Sequence, residues 1–478
     1  MSVNEFDEDD FDRPHEECGL IGIFAPNEDV SRMAFFGLFA LQHRGQEAAG
    51  IAVSNGSIMT MHKDVGMVSS IFTPQNLAHL VGLYAIGHTR YSTTGSSSMR
   101  NVQPFMIETM HGPLALAHNG NLVNSGELRD KLLHDGVGLS SSSDSEVMTM
   151  MLARAHGANW SERIRDCMQQ WKGAYSLVIL TREGVYAIRD PWGFRPLSVG
   201  TLPSGGSAVA SETGALQTLG CDVIREIRPG EIVTLSDKAL IVHQALPAVS
   251  PQARCVFEFI YFARPDHTWD GRSVHHVRQR LGEELAREAT DIEADVVIPV
   301  PDSSNPAAIG FSRTSGIPYN DGFVKNRYVG RTFIEPTDSL RKRGVALKFN
   351  VINENVRDKR VIMIDDSIVR GNTTGPLIKL LRNAGASEVH IAITCPPITH
   401  PCFMGVDMGV FEDLIAHKRT VEEICRFVGA DSLTYLSLDG MMRAVGRTDG
   451  YCQACFTGHY PISVDLMNVK TGFEQGIA

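Results

Sequence analysis

The sequence predicts a multidomain α/β protein, and three observations carry that expectation. Its 478 residues call for more than one core, because domains run to about 100–200 residues each. Strand-like runs alternate with helical stretches, and the rhythm changes near Cys255, from mixed strands with few helices to a regular alternation of strand and helix. The third observation is VIMIDDSIVRGNTTG (Val361–Gly375), where an apolar strand delivers Asp365 and Asp366 to a turn that opens a helix.

The elements follow in order. Residues 1–17, MSVNEFDEDDFDRPHEE, read as a disordered acidic leader. Short apolar runs at Gly19–Phe24, Ala115–Ala117, Tyr175–Leu180 and Glu231–Leu235 predict strands. Val30–His43 and Ser145–Ala155 predict helices, the second opened by the capping run SSSSDSE (Ser140–Glu146). Leu246–Arg254, containing proline and lacking periodicity, predicts a linker. Beyond Cys255, DVVIPV (Asp295–Val300), RVIMID (Arg360–Asp365) and SEVHIAI (Ser387–Ile393) predict parallel strands joined by crossover helices. Between the first two lies a basic segment with Lys325, Arg327, Arg331, Arg341, Lys342, Arg343 and Lys348. It is either a solvated surface or a flap that covers a diphosphate.

Composition narrows the function classes. Hydrophobic content of 43% and charged content of 21% are globular values. A net charge of −11 argues against nucleic acid as a partner. No apolar stretch reaches the roughly 18 residues of a membrane span, and the acidic N-terminus is no secretory signal. Nine cysteines in such a chain point to reduced thiols, catalysis or metal in a cytoplasmic protein rather than to a disulfide framework.

Four groups of residues carry chemistry. Asp365 and Asp366 can take the vicinal hydroxyls of a ribose or hold Mg²⁺, while Ser367, Arg370, Gly371, Thr373 and Thr374 at a helix start suit a phosphate. VPDSSNPAA (Val300–Ala308) ends another strand with a turn of amides and hydroxyls, although a helix cap would explain it equally well. In HEECGLIGIF (His15–Phe24), Cys18 stands directly before a strand, as a core thiol would. Its companions are HTRYSTTG (His88–Gly95), AHNGNL (Ala117–Leu122) and the run around Asp144. Read alone, Asn119–Gly120 would be a hairpin turn, and Arg90 and Asp144 surface charges. Finally, Cys452 and Cys455 form a C-x-x-C pair, with Cys255 and Cys402 as further candidates for zinc, an iron–sulfur cluster or redox work.

The Asp365–Asp366 phrase resembles the 5-phosphoribosyl 1-diphosphate (PRPP) motif of type I phosphoribosyltransferases, with Asn372 where relatives carry threonine. Cys18, HTRYSTTG, AHNGNL and Asp144 resemble the class II glutamine amidotransferases. In this order, across nearly all of residues 18–465, the motifs resemble the amidophosphoribosyltransferase family, in its iron–sulfur branch. The resemblance implies an acidic propeptide (1–17) and an N-terminal-nucleophile αββα glutaminase sandwich (18–245). It further implies a type I phosphoribosyltransferase parallel-sheet domain (255–440) and a C-terminal segment with cluster cysteines (441–478).

It also implies roles. Removal of residues 1–17 would free the α-amino group of Cys18, whose pKa of about 7.7–8.0 suits a base beside its own sulfur. Arg90 would clamp the glutamine carboxylate and Asp144 its ammonium, while Asn119 and the Gly120 N–H would hold the oxyanion, Gly120 leaving room for the substrate. Asp365, Asp366, Ser367, Arg370, Gly371, Thr373, Lys325 and Arg327 would bind PRPP, and Ser303, Asp365 and Asp366 one Mg²⁺ per subunit. Cys255, Cys402, Cys452 and Cys455 would hold one structural [4Fe–4S] cluster per subunit, leaving Cys395 and Cys425 as core thiols. The implied reaction displaces diphosphate from PRPP by ammonia drawn from glutamine, giving 5-phosphoribosylamine, the entry to purine synthesis. Ammonia must travel unprotonated, hence through a water-excluding passage. The family is feedback-inhibited by purine nucleotides and forms homo-oligomers, commonly tetramers. Two other readings stand beside this one: a PRPP-sensing regulator, and a glutamine-dependent transferase sharing only the first domain.

Overall fold

The computed structural model describes residues 18–91, 99–237, 240–326, 348–406, 408 and 410–464, the side chains of Val223 and Ile224 excepted. The expected acidic leader, Arg327, and Arg331, Arg341, Lys342 and Arg343 of the basic segment lie outside these residues.

The first half is built on two antiparallel sheets. One has seven strands in the order Asp222–Glu226, Ser198–Thr201, Ser207–Ala210, Gly19–Phe24, Tyr84–Arg90, Ala48–Ser54, Met59–Val65. The other has six: Ile241–Gln244, Glu231–Leu235, Val185–Arg189, Gly173–Leu180, Gly112–Leu122, Phe105–Thr109. Strand alternation sorts the side chains between two faces. Leu20, Phe24, Ala52 and Ile86 of the first sheet pack on Ala115, Ala117, Val178 and Ala187 of the second. Ile21, Ile23 and Val53 turn the other way, onto Ala34 and Leu38 of the Val30–Ala40 helix. On the far side Leu116, Leu177 and Ile179 meet Met148, Leu152 and Ile164 of the Asp144–Arg154 and Trp160–Met168 helices. The layers are helix, sheet, sheet, helix. Because these strands are covered on both faces, they read as continuous apolar runs.

The second half centres on a four-stranded parallel sheet, ordered Val296–Pro299, Arg360–Asp365, Glu388–Ile393, Ser432–Tyr435. Pro299 lies opposite Ile364, so the turns leaving these neighbouring strands open side by side at the carboxyl edge, where ligands bind in such sheets. A two-stranded ribbon, Phe323–Lys325 with Phe349–Val351, flanks that edge.

Several expectations shift. The helix expected over Val30–His43 ends at Ala40, and Gln42–Arg44 forms a tighter turn. The helix expected over Ser145–Ala155 runs Asp144–Arg154, capped by the Ser143 side chain, which accepts from the Ser145 N–H. The hairpin-turn alternative for Asn119–Gly120 fails: both lie inside the long Gly112–Leu122 strand, opposite Ser176 and Tyr175. The expected boundary at 440 lies within the Leu438–Val445 helix, which packs on the Val274–Glu288 helix. The linker ends in order, with Arg254–Cys255 pairing in parallel with Tyr451–Cys452.

Candidate active sites and a thiol cavity

Cys18 stands at the mouth of the Gly19–Phe24 strand, buried, with its Sγ donating to the Tyr91 carbonyl at 3.6 Å. Its place is fixed through the backbone. The Gly19 N–H donates to Thr89 Oγ1 at 3.1 Å, the Leu20 N–H to Ser211 Oγ at 2.9 Å, and Arg44 Nε donates to the Cys18 carbonyl at 3.3 Å. Arg90 closes the neighbouring Tyr84–Arg90 strand and is also buried. Burial lowers its pKa against the attraction of Glu47, Cys18 and Asp144, which all lie within electrostatic reach. Asp144, the first residue of its helix, accepts from the Leu122 N–H at 3.0 Å. Burial pushes its pKa up, but the His118 imidazole and the Leu122 and Ser145 N–H groups outweigh burial and hold the carboxyl below its usual range.

Asn119 lies on the same strand as Leu122, and its side-chain Nδ2 is buried with no hydrogen-bond partner. A buried amide donor left unpaired costs about 1–3 kcal/mol, so this group is poised for something that arrives. Gly120 beside it has φ of 145°, and a Cβ there would stand 2.0 Å from the Ala174 carbonyl oxygen. The glycine is thus required by the adjacent strand, whatever room a substrate also needs there.

The sequence reading missed residues that complete this site: Arg44, Glu47, Thr89 and Ser211. A signal for the first two existed. QHRGQE (Gln42–Glu47) sets charges directly against Ala48–Ser54, a strand buried throughout.

At the carboxyl edge of the parallel sheet, the two turns are tied together. Ser303 Oγ donates to Asp366 Oδ2 at 2.6 Å and Ser304 Oγ to Asp365 Oδ1 at 3.3 Å. Ser367 Oγ donates to Asp366 Oδ1 at 2.9 Å, and the Asp366 N–H to Asp365 Oδ1 at 2.9 Å. Both carboxylates are buried. Ser303, Asp365 and Asp366 are therefore brought together, and their oxygens suit a hard cation. Gly371 takes a left-handed φ of 82°, and Thr373 precedes the Thr374–Asn383 helix. Lys325 pairs with Asp302 at 3.0 Å and Arg370 with Asp413 at 3.3 Å, so both cations stand at this edge with exchangeable partners.

The four candidate cluster cysteines converge on one cavity. Cys255, Cys402, Cys452 and Cys455 line it together with Phe194, Phe257, Met404, Val406, Met408, Ala454 and Tyr460. Burial pushes the Cys452 thiol up to about 12 and the Cys455 thiol well above its usual value, with Cys452, Cys255, Cys402 and Cys395 as charge neighbours of Cys455. Among the described residues no group of three or more His, Cys, Asp or Glu is spaced to hold a metal ion. Cys395 is fully buried and does not line the cavity, while Cys425 is half-buried and its Sγ donates to the Ala430 carbonyl.

The two halves touch at the Asn119 strand. Asn121 Nδ2 donates to the Phe403 carbonyl at 2.9 Å, Arg195 Nη2 to the Met404 carbonyl at 2.5 Å, and a Cβ on Gly405 would stand 3.0 Å from Gly120 Cα. The loop that carries Cys402 thus braces the strand that carries Asn119.

An αββα sandwich with an N-proximal cysteine, joined to a parallel sheet with paired acids at its carboxyl edge, defines a glutamine-dependent pentosyltransferase. The comparisons agree. A family described as "Glutamine amidotransferase domain" matches residues 88–218. "Amidophosphoribosyltransferase" of Synechococcus elongatus is 50% identical over 459 residues, covering 95% of this chain and 93% of that protein. The Homo sapiens protein of the same name is 42% identical, covering 94% and 98%. Among solved structures, the "glutamine phosphoribosylpyrophosphate (PRPP) amidotransferase from B. subtilis complexed with ADP and GMP" superimposes with a TM-score of 0.88 at 43% identity, covering 94% of this chain and 98% of that one. The chain belongs to the amidophosphoribosyltransferase family. It transfers the amide nitrogen of glutamine to PRPP, giving 5-phosphoribosylamine, glutamate and diphosphate in the first step of purine biosynthesis. The third reading, a transferase sharing only the first domain, is excluded by a match that spans 95% of the chain.

Proposed function

We propose that the reaction divides between the two halves as follows, and that the unpaired buried amide of Asn119 is the observation that carries the glutaminase assignment. Loss of residues 1–17 frees the amine of Cys18, which takes the thiol proton as Sγ attacks the glutamine amide. Arg90 receives the substrate carboxylate and Asp144 its ammonium. The amide oxygen, as it gains charge, meets Asn119 Nδ2 and the Gly120 N–H, donors held in a buried strand and needing no reorganisation. Glutamate is released by hydrolysis of the thioester, and ammonia crosses to the transferase half. The contact of the Phe403–Gly405 loop with the Asn119–Asn121 strand supports a dry route there.

At the second site Ser367, Arg370, Gly371 and Thr373 receive the 5-phosphate of PRPP, and Lys325 and Arg327 its diphosphate. Ser303, Asp365 and Asp366 would hold Mg²⁺, which when bound offsets the charge of the departing diphosphate. Lys325 exchanges Asp302 for the diphosphate when substrate enters. Cys255, Cys402, Cys452 and Cys455 would hold a [4Fe–4S] cluster. The donor set fits: four thiols line a single cavity whose other walls are mainly apolar. Its role is structural, joining the linker end, the Cys402 loop and the C-terminal segment. Purine nucleotides act as feedback inhibitors, as the ADP and GMP of the Bacillus subtilis complex suggest. The active form is a cytoplasmic homotetramer. Among the described residues no helix is long and apolar enough to cross a membrane.

Cys18→Ala tests the division of labour. It is expected to abolish glutamine-dependent synthesis of phosphoribosylamine while ammonium at high pH still supports it. Intact-mass measurement of the mature enzyme is expected to begin at Cys18. Glutamine turnover at the parent rate by an unprocessed chain would overturn the assignment.

A further inference from the structure

Two side chains take over from a strand just ahead of Asn119. The Phe105–Thr109 strand pairs with Gly112–Leu122 only as far as Phe105 opposite Leu116. Two residues on, the backbone of His118 has passed the end of that ladder, and a buried N–H and carbonyl left unpaired would cost stability. Gln103 Oε1 accepts the His118 N–H at 2.7 Å, and His88 Nε2 donates to the His118 carbonyl at 3.1 Å. Gln103 continues the line of the strand that has ended, whereas His88 comes from the opposite sheet. Its bond therefore joins the two layers of the sandwich at the peptide that leads into Asn119.

His88 is fully buried in the Tyr84–Arg90 strand, opposite Leu20 of the nucleophile strand on one side and Gly50 on the other. Strand alternation puts it on the face of Ile86, toward the second sheet, with Arg90 the next residue on that face. A carbonyl can only accept, so Nε2 carries the ring hydrogen and Nδ1 is left as an acceptor. That acceptor is buried without a hydrogen-bond partner, a cost that an apolar residue would avoid. Burial, with Arg90 close by, lowers the pKa to about 3, so the ring is neutral and its Nε2–H persists near neutral pH. What the ring supplies in return for its buried acceptor is the Nε2 bond. At the other end of that bond, the His118 ring has Nδ1 3.2 Å from Ser145 Oγ and 3.6 Å from Asp144 Oδ1. Arg90, Asn119 and Asp144 thus lie on three elements that meet at His118, and His88 ties the Arg90 strand to that meeting point.

We propose that His88 is a positioning residue for glutamine hydrolysis, whose Nε2–H holds the peptide between His118 and Asn119 and so sets the distance from the Arg90 clamp to the Asn119 amide. This rests on the reading that Arg90 binds the glutamine carboxylate and Asn119 the oxyanion. The role asks for no contact between His88 and the substrate. Glutamine spans the two groups with its own length, so a displaced Asn119 amide still faces a bound substrate but misses the oxygen as charge develops. Loss of the bond therefore slows the chemistry without loosening the ground-state complex.

The test uses full-length enzyme with glutamine, PRPP and Mg²⁺, and ammonium as the alternative nitrogen source. His88→Asn loses the donor, because its amide nitrogen reaches only as far as Nδ1, whereas His88→Gln carries an amide nitrogen at the reach of Nε2. His88→Asn is expected to lower glutaminase kcat about tenfold or more, with KM for glutamine within about threefold and ammonium-dependent synthesis within about twofold of the parent. His88→Gln is expected to recover kcat to within about threefold of the parent. The γ-aldehyde analogue of glutamine, whose adduct with a thiol is tetrahedral, is expected to bind the His88→Asn enzyme more weakly by the factor lost from kcat/KM. Parent kcat in His88→Asn would overturn the proposal, as would equal losses in the two variants or an unchanged inhibition constant for the aldehyde. Loss of ammonium-dependent synthesis in step with glutaminase would overturn it too, by showing a role in folding alone. The underlying reading fails separately, through an Asn119→Ala enzyme that keeps the parent kcat for glutamine.

Discussion

Asn119→Ala pulls catalysis and stability in different directions, and the structure sets the size of each. The Asn119 side chain is 2% exposed and its Nδ2 has no partner. Deleting the side chain removes a buried donor whose unpaired state costs about 1–3 kcal/mol, against a lost packing contribution of about 1 kcal/mol for the few atoms removed. Net stability should therefore stay level or rise slightly. Catalysis should not. An oxyanion donor contributes about 3 kcal/mol, so kcat for glutamine should fall about 10²–10³-fold. KM should move little, because the donor acts on the transition state. Steady-state glutaminase assays, ammonium-dependent synthesis as the control and a urea denaturation midpoint measure all of this. A kcat within about tenfold of the parent would refute the oxyanion role. A clearly lowered midpoint would show that the Asn119 amide is a structural group after all.

Further outcomes follow from buried titratable groups and thiols. Burial, with Arg90 as a like-charge neighbour, lowers the His88 pKa from 6.5 to about 3. The unfolded chain therefore takes up that proton first, so its contribution is intact above pH 6.5 and is lost as pH falls toward 3. Between pH 7.5 and 5.5 this one group should cost about 1.4 kcal/mol, and His88→Gln should flatten that part of a pH series of urea midpoints. An unaltered slope would show that His88 is charged in the native state. Cys455→Ser should give a protein purified anaerobically without stoichiometric iron and sulfide, with both activities lost through unfolding. Full retention of stability, or stoichiometric zinc in the parent, would dismiss the cluster.

What lay in the sequence was everything that depends on a few consecutive residues. Gly19–Phe24, Glu231–Leu235 and Arg360–Asp365 are strands with the expected ends, because strands covered on both faces are uninterrupted apolar runs bounded by polar turns. The capping run before Asp144 starts its helix by local hydrogen bonds, and the motifs around Cys18, Asn119 and Asp365 are each contained within one turn or strand. The tertiary structure alone decided how those pieces face one another. It folded Asn119–Gly120 into a strand rather than a turn and turned Asp365 and Asp366 inward onto serines 61 and 63 residues away. It collected four cysteines around one cavity and put Arg44 between Glu212 and Glu258, 168 and 214 positions along the chain. Local rules carry no memory of such separations. A buried charge finds its partner only when whole sheets pack, since it is the loss of water around it, absent in the open chain, that makes the partner necessary.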